Sequence, residues 1–265
     1  MRLELFLKSE PGTSLFGQND DRLFSDAEAR LFAVADASGP TYGGFHKPTG
    51  PGPGWQAMLV AWRENAALPI DDRLRRALVA ANEAMLDPGW EERVAAMLAI
   101  RRDDSSERES SAGDGRLTHP TASFTVAGLD DDRLALAQVG SCRGYRIHQG
   151  VVERLLPDHS LATQATLPGA DPALLALLQF HRTVCTRLLG LRPAVEVDLR
   201  VVPVCAGDDF LLCTDGVWLP LDDATIAEAF AEAPADGDAI LSELLRLARE
   251  TDGFDHRSCL ILRAN

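Results

Sequence analysis

No stretch of the 265 residues approaches the roughly 18 uninterrupted apolar residues that a membrane-spanning helix needs. The opening Met1-Arg2-Leu3-Glu4-Leu5-Phe6-Leu7-Lys8 is too short an apolar run, and too broken by Glu4, to read as a signal peptide. Both absences point to a cytoplasmic protein with no membrane partner. Basic residues are scarce as well: 26 Lys and Arg stand against 40 Asp and Glu, a net charge of −14. That balance favours solubility and repels phosphate backbones, so nucleic acid is excluded as an expected partner. Paired cysteines are missing. Cys142, Cys185, Cys205, Cys213 and Cys259 are odd in number, scattered, and without the C-x-x-C spacing of zinc or redox sites. They read as small core residues of a reducing compartment. No internal repeat is visible.

What is present suffices for a large core, because a chain of this length buries roughly 70 to 75% of its unfolded surface. One domain over residues 1–265 and a monomer are expected. Leu3, Leu5 and Leu7 alternate with polar residues as in a strand covered on one side. The loop Asn19-Asp20-Asp21-Arg22 leads to a strand ending at Asp36, and a glycine- and proline-rich loop runs over 43–54. Helices are predicted over about 55–66, 71–86 and 89–100; in the second, Leu74, Ala77, Leu78, Ala81 and Met85 share a face behind Asp71 and Asp72 as capping candidates. Residues 102–115 hold nothing apolar larger than alanine, which predicts a mobile loop. Residues 122–155 read as a strand meander, 173–190 as helix, 195–204 as extended, 222–232 and 238–250 as helix, and 258–263 as a closing strand. Strands and helices are segregated in blocks, which predicts an α+β fold with antiparallel sheets and helices outside them.

Three apolar runs of strand length each carry an aspartate at the boundary: Leu31-Phe32-Ala33-Val34-Ala35-Asp36, Phe210-Leu211-Leu212-Cys213-Thr214-Asp215-Gly216, and Asp255 before Ser258-Cys259-Leu260-Ile261-Leu262. Carboxylates gathered at one sheet rim repel one another unless a cation lies between them, and hard oxygen ligands suit magnesium or manganese. A divalent metal centre is the expectation. An isolated Asp at a strand end is more often a cap or a turn former, so the weight rests on the set of three. His159 and His256 are expected to be hydrogen-bonded structural residues, and Asp158 likewise.

Taken in order, these pieces resemble the metal-dependent serine/threonine protein phosphatases of type 2C in their compact bacterial form. Phe32-Ala33-Val34-Ala35-Asp36-Ala37-Ser38-Gly39 is similar to the family's Phe-x-Val-x-Asp-Gly-x-Gly, and Asn19-Asp20-Asp21 to its Asn-Glu-Asp. Thr121-Ala122-Ser123 stands at its Gly-Thr-Thr, Val139-Gly140-Ser141-Cys142-Arg143 at its Val-Gly-Asp-Ser-Arg, and Asp158-His159-Ser160 at its Asp-His-Ser. Thr186-Arg187-Leu188-Leu189-Gly190, Gly207-Asp208 through Cys213-Thr214-Asp215-Gly216, and Asp255-His256 for Asp-Asn complete the series. The resemblance runs from about residue 15 to the end.

It implies a four-layer αββα sandwich, two antiparallel sheets flanked by helices, with two divalent ions, Mn2+ or Mg2+, at one edge. Asp36 would bridge both metals, Asp215 and Asp255 would hold one, the carbonyl of Ala37 would touch the other, and Asp20 and Asp21 would orient water. The implied activity is hydrolysis of phosphoserine and phosphothreonine in a phosphorylated protein, the substrate of a bacterial Ser/Thr kinase, by attack of water without a covalent phosphoenzyme. Four positions depart from the family. Phe16 stands where a phosphate-clamping arginine is usual, leaving Lys47 or Arg22 as substitutes; Ala37 replaces Gly; Ser141 replaces the Asp of a third metal site; and Asp20 is one methylene shorter than Glu. The alternative they allow is a pseudophosphatase, a regulatory phosphoprotein-binding module with little catalysis.

Overall fold

In the computed structural model the described residues are 3–13, 19–38, 52–86, 121–165, 184–233 and 235–265. Among them ten strands form two five-stranded, wholly antiparallel sheets. The first contains β1 (Leu3–Glu10), β10 (Arg257–Ala264), β9 (Asp209–Cys213), β6 (Arg143–His148) and β7 (Val151–Arg154), in that spatial order. The second contains β2 (Arg22–Asp26), β3 (Leu31–Ser38), β4 (Thr121–Leu129), β5 (Arg133–Val139) and β8 (Asp198–Pro203). The helices are α1 (Gly52–Glu64), α2 (Ile70–Met85), α3 (Leu161–Ala165), α4 (Asp215–Trp218), α5 (Asp223–Glu232) and α6 (Gly237–Thr251).

Three apolar layers show why the sequence folds this way. Phe32, Val34, Leu134 and Leu136 from one sheet meet Phe210, Leu212, Leu260 and Leu262 from the other, so alternate residues of both sheets fill the space between them. On the outer face of the second sheet, Leu31, Ala33, Phe124 and Val126 pack against Met58 and Trp62 of α1 and Leu74 and Leu78 of α2. On the outer face of the first, Tyr145, Leu211 and Ile261 pack against Trp218, Phe230, Ile240, Leu241 and Leu244. Strands such as β4 and β10, buried along their whole length, therefore carry apolar side chains on both faces. The result is the expected four-layer αββα sandwich.

The helical face of α2 is buried as its spacing predicts, at Leu74, Ala77, Leu78, Ala81 and Met85. Asp71 and Asp72, however, do not cap it. Pro69 occupies the cap position without a side-chain bond, and the two carboxylates lie in the first turn, where they complement the helix dipole. Aspartate caps occur instead on α5, where Asp222 accepts from the Thr225 N–H, and on α6, where Asp236 accepts from the Ala239 N–H.

Four sequence expectations need correction. The segment read as one strand ending at Asp36 is preceded by a second strand: β2 pairs with β3 from Arg22↔Ala35 to Asp26↔Leu31. The meander over 122–155 does not stay in one sheet. After β5 the chain crosses to the other sheet at Gly140, whose φ of 109° is open to glycine and whose added Cβ would fall 2.4 Å from Ser123 Oγ. Residues 184–190, read as the end of a helix, are extended and turned, because Cys185 bridges to Ser160 and Leu189 to Ala122. The four-residue helix α4 was not anticipated, being too short for any periodicity to register. The helix expected over 89–100 and the loop over 102–115 lie outside the described residues, as does the earlier part of 173–190; the glycine- and proline-rich stretch does too, up to Gly52, where α1 begins. Among the described residues no helix is long and apolar enough to cross a membrane.

Candidate metal centre

The antiparallel registers deliver the aspartates to one place. Asp36 lies near the end of β3, opposite Ser123 of β4. Asp21 immediately precedes β2, whose first pair is Arg22↔Ala35, so it lies at the same end of that sheet. In the other sheet, β9 ends at Cys213 opposite Cys259 of β10, which places Asp215, two residues on, beside the approach to β10 where Asp255 lies. Edges of two stacked sheets thus contribute four acids, with Asp20 next to Asp21.

Close backbone approach holds the pieces together. Thr214 N–H donates to the Ser258 carbonyl at 3.0 Å, and Thr214 Oγ1 donates to Asp21 Oδ2 at 2.8 Å, tying the end of β9 to both β10 and the acidic loop. Asp255 Oδ1 accepts the His256 N–H at 2.8 Å, and His256 Nδ1 in turn accepts the Gly12 N–H at 2.9 Å. Arg257 donates to the carbonyls of Asp255 and Pro11, both at 2.9 Å. Gly216 is required where it stands: a Cβ there would lie 1.8 Å from the His256 carbonyl oxygen. Gly216→Ala is therefore expected to push α4 off the Asp255 loop and to cost more than about 3 kcal/mol, read as a fall in the urea midpoint; an unchanged midpoint would contradict the packing.

Electrostatics show how tightly the acids are gathered. Asp21 and Asp215 are buried, and Asp21 is pushed up to about 7 by burial, with Asp215 and Asp255 adding to the rise and the Thr214 and Ser258 hydroxyls opposing it. Asp36 and Asp215 lie close to each other, and both are raised, first by burial and then by the charges of neighbouring carboxylates, Asp255 among them. Among the described residues no ion pair reaches any of the five acids, and no set of three His, Cys, Asp or Glu side chains is already drawn into a metal shell. Protons shared within the cluster relieve the repulsion. Buried carboxylates without a compensating side chain are a donor set that fits hard divalent cations and little else.

Both histidines are structural, as expected. His159 Nδ1 accepts the Gly140 N–H at 3.1 Å and Nε2 faces Asp198 at 3.2 Å, so the ring supports the Gly140 turn. Asp158 takes both prongs of the buried Arg143 guanidinium, at 2.8 and 2.6 Å, and Arg143 lies 3.4 Å over the Trp218 ring. At Ser141 the backbone is fully used, its N–H by Ser123 Oγ and its carbonyl by Trp218 Nε1, and the side chain offers a hydroxyl in place of a carboxylate. Arg22 spends Nη1 on the Asn19 and Asp21 carbonyls at 2.6 and 2.5 Å, so it ties down its own loop; Phe16 and Lys47 lie outside the described residues. Sequence reasoning missed Thr214 and Ser258, whose contact spans 44 residues and depends on strand register alone.

No family model matches the chain. The serine/threonine phosphatase stp of Listeria innocua is 31% identical over 105 residues, which is 40% of this chain and 42% of that protein, so the match spans less than half of the relative. Whole-chain similarity comes from solved structures. The serine/threonine phosphatase PstP/Ppp of Mycobacterium tuberculosis superposes with a TM-score of 0.72 at 22% identity, over 99% of this chain and 99% of that one. The fold is the type 2C phosphatase fold. A second structure of this fold, the PstP catalytic domain in complex with two manganese ions, superposes with a TM-score of 0.69 at 23% identity, again over 99% of both chains. The type 2C arrangement of two stacked sheets is what brings Asp36 and Asp215, far apart in sequence, close enough to raise each other's titration.

Proposed function

We propose that this chain is a metal-dependent protein phosphatase that hydrolyses phosphoserine and phosphothreonine, holding two Mn2+ or Mg2+ ions at the sheet edge. Asp36, Asp215, Asp255 and the carbonyl of Ala37 are the ligands in this reading, and Asp20 and Asp21 orient water. The observation that carries it is the gathering of buried Asp21 and Asp215 with half-buried Asp36, each raised by desolvation and then by its neighbours' charges, with no cationic side chain paired to them among the described residues. Such a cluster is costly to the fold unless it serves a ligand. The likeness to a structure that holds two manganese ions supports the same reading.

When bound, the two cations supply positive charge to the phosphoryl oxygens and lower the pKa of a water nucleophile. The chain supplies placement. Asp36 and Asp215, close together from different sheets, fix the span across which the charge is held, and Thr214 fixes the carboxylate of Asp21 against both. Asp21, held by Thr214 beside the ligands, is the proton acceptor for water in this reading. The substrate is a phosphorylated protein, and a bacterial Ser/Thr kinase is the enzyme whose product it would remove.

Manganese-dependent release of phosphate from p-nitrophenyl phosphate and from a phosphothreonine peptide, abolished by EDTA, is the expected result. Absence of turnover on both substrates sinks the enzyme and leaves the phosphoprotein-binding reading that Ser141 and the replaced arginine would favour. A manganese-independent melting temperature would remove the metal as well.

A further inference from the structure

The strand β1 stands at the edge of its sheet without the usual protections of an edge. It is eight residues long, contains no proline, and runs against β10 in unbroken register from Leu3↔Ala264 to Glu10↔Arg257, so no bulge turns it aside. Hydrogen-bond parity shows which of its backbone groups face outward. The Thr214 N–H donates to the Ser258 carbonyl at 3.0 Å and the Ala264 N–H to the Asp208 carbonyl at 2.9 Å. The even residues of β10 therefore point their backbone at β9, and the odd ones point theirs at β1, where their partners are Glu4, Phe6, Lys8 and Glu10. Leu3, Leu5, Leu7 and Ser9 are left to turn N–H and C=O away from the sheet, and among the described residues no backbone bond reaches them there.

The geometry points to β1 as a self-complementary interface: two copies of this chain pair β1 with β1, antiparallel about a twofold axis, and join their first sheets into one, in place of the expected monomer. Only outward groups can bond across the axis, so odd residues must face odd residues. With Phe6 opposite Phe6 of the second copy, Leu5 faces Leu7, Leu3 faces Ser9, and Glu4 faces Lys8, each pair occurring twice by symmetry. Charge selects this register. A shift of two residues one way sets Glu4 against Glu10, and a shift the other way sets Glu4 against Phe6 and leaves Lys8 without its opposite charge. Lys8 Nζ already donates to Ser242 Oγ at 2.6 Å, which holds the ammonium on the face it shares with Glu4 and leaves further protons for that carboxylate. Leu7, 46% exposed, gains Leu5 of the other copy beside it, an apolar contact next to the inter-sheet core. The Glu10 end of β1 lies at the metal edge, opposite Arg257, so antiparallel pairing puts the two metal edges at opposite ends of the joint sheet and each centre works alone.

Sedimentation equilibrium on the full chain at physiological salt tests the interface. Wild type is expected to pass from monomer to dimer with a Kd on the order of 10 μM. Leu7→Pro removes an outward N–H that β10 does not use, which an edge strand tolerates, and should raise Kd at least about tenfold. Glu4→Lys and Lys8→Glu each set like charges opposite one another in both symmetry-related pairs and should each raise Kd about tenfold, whereas an equimolar mixture of these two variants should dimerise within about threefold of wild type, because every pair is then of opposite charge. The mixture decides the matter even if the proline variant fails to fold. A wild type that stays monomeric up to about 200 μM, a dimer whose Kd none of the variants moves, or a mixture no tighter than its components overturns the proposal. The interface does not depend on the phosphatase reading: phosphate release per chain should be equal in wild type and Leu7→Pro, and its absence in both would count against the enzyme alone.

Discussion

Asp215→Asn is expected to cut manganese-dependent phosphate release by at least about a thousandfold and, in EDTA, to raise the melting temperature. The two effects have one origin. Asp215 is buried against Asp36, with Asp255 adding like charge, and burial together with these neighbours drives its carboxyl well above the ordinary range. In the metal-free protein the charge is a liability: folding must either protonate the pair or hold two carboxylates together out of water. Asparagine keeps the volume and can donate to Asp36, so it removes repulsion without opening a cavity. A gain of about 1 to 3 kcal/mol corresponds to several degrees, at about 2 to 4 °C per kcal/mol for a chain of this size. With the ligand lost, the rise in melting temperature on adding manganese should nearly disappear, since only binding to the folded state produces it. A loss of about 4 kcal/mol of transition-state stabilisation accounts for the thousandfold. The opposite stability result, a lower melting temperature in EDTA, would mean that the carboxylate supports the fold, and the case for a site built for cations would fail with it.

The parts of this centre that could be read from the sequence are those set by local pattern. An apolar run of five or six residues with a boundary aspartate marks both the strand and the rim, and it did so at Asp36, Asp215 and Asp255 because each lies at the end of a strand buried on both faces. Asp21 and Asp20 came from the resemblance, not from periodicity, since the five-residue strand they introduce, Arg22–Asp26, is too short and too mixed to register. What stayed hidden depends on register between segments far apart in the chain. The contact between Thr214 and Ser258, the bond from Gly12 to His256 Nδ1, and the clash that forbids a side chain at Gly216 all follow from how β9 meets β10. Residues 184–190 were misread for the same reason: Cys185 and Leu189 have helical company in sequence but find partners in Ser160 and Ala122, and tertiary pairing overrode propensity. Gly140 was seen as a bend, and only the φ of 109° over Ser123 shows that the bend carries the chain from one sheet to the other.

Metal-free protein is expected to lose stability as pH rises from about 5 to about 7.5, against the usual trend, while the stabilisation by manganese grows over the same interval. Asp21 has an ordinary carboxylate pKa near 3.8 when unfolded and is pushed up to about 7 when folded; Asp36 and Asp215 move in the same direction. Between those values the folded chain binds more protons than the unfolded one, so stability falls with rising pH, by up to about 1.4 kcal/mol per pH unit for each group. The contribution is fully present below about 4 and gone above about 7. His159 opposes it: burial lowers its pKa, so its contribution is lost as pH falls through the histidine range. With three carboxylates against one imidazole, the carboxylates should set the slope between pH 5 and 7.5. Divalent cations compete for the same oxygens as protons, and the manganese-induced shift should therefore be small at pH 5.5 and approach its full size by pH 7.5. Urea titrations in EDTA and in manganese at four pH values measure both trends. Asp21→Asn should flatten the metal-free slope by about one group's share, and a slope that rises with pH in wild type would show that the cluster does not take up protons on folding.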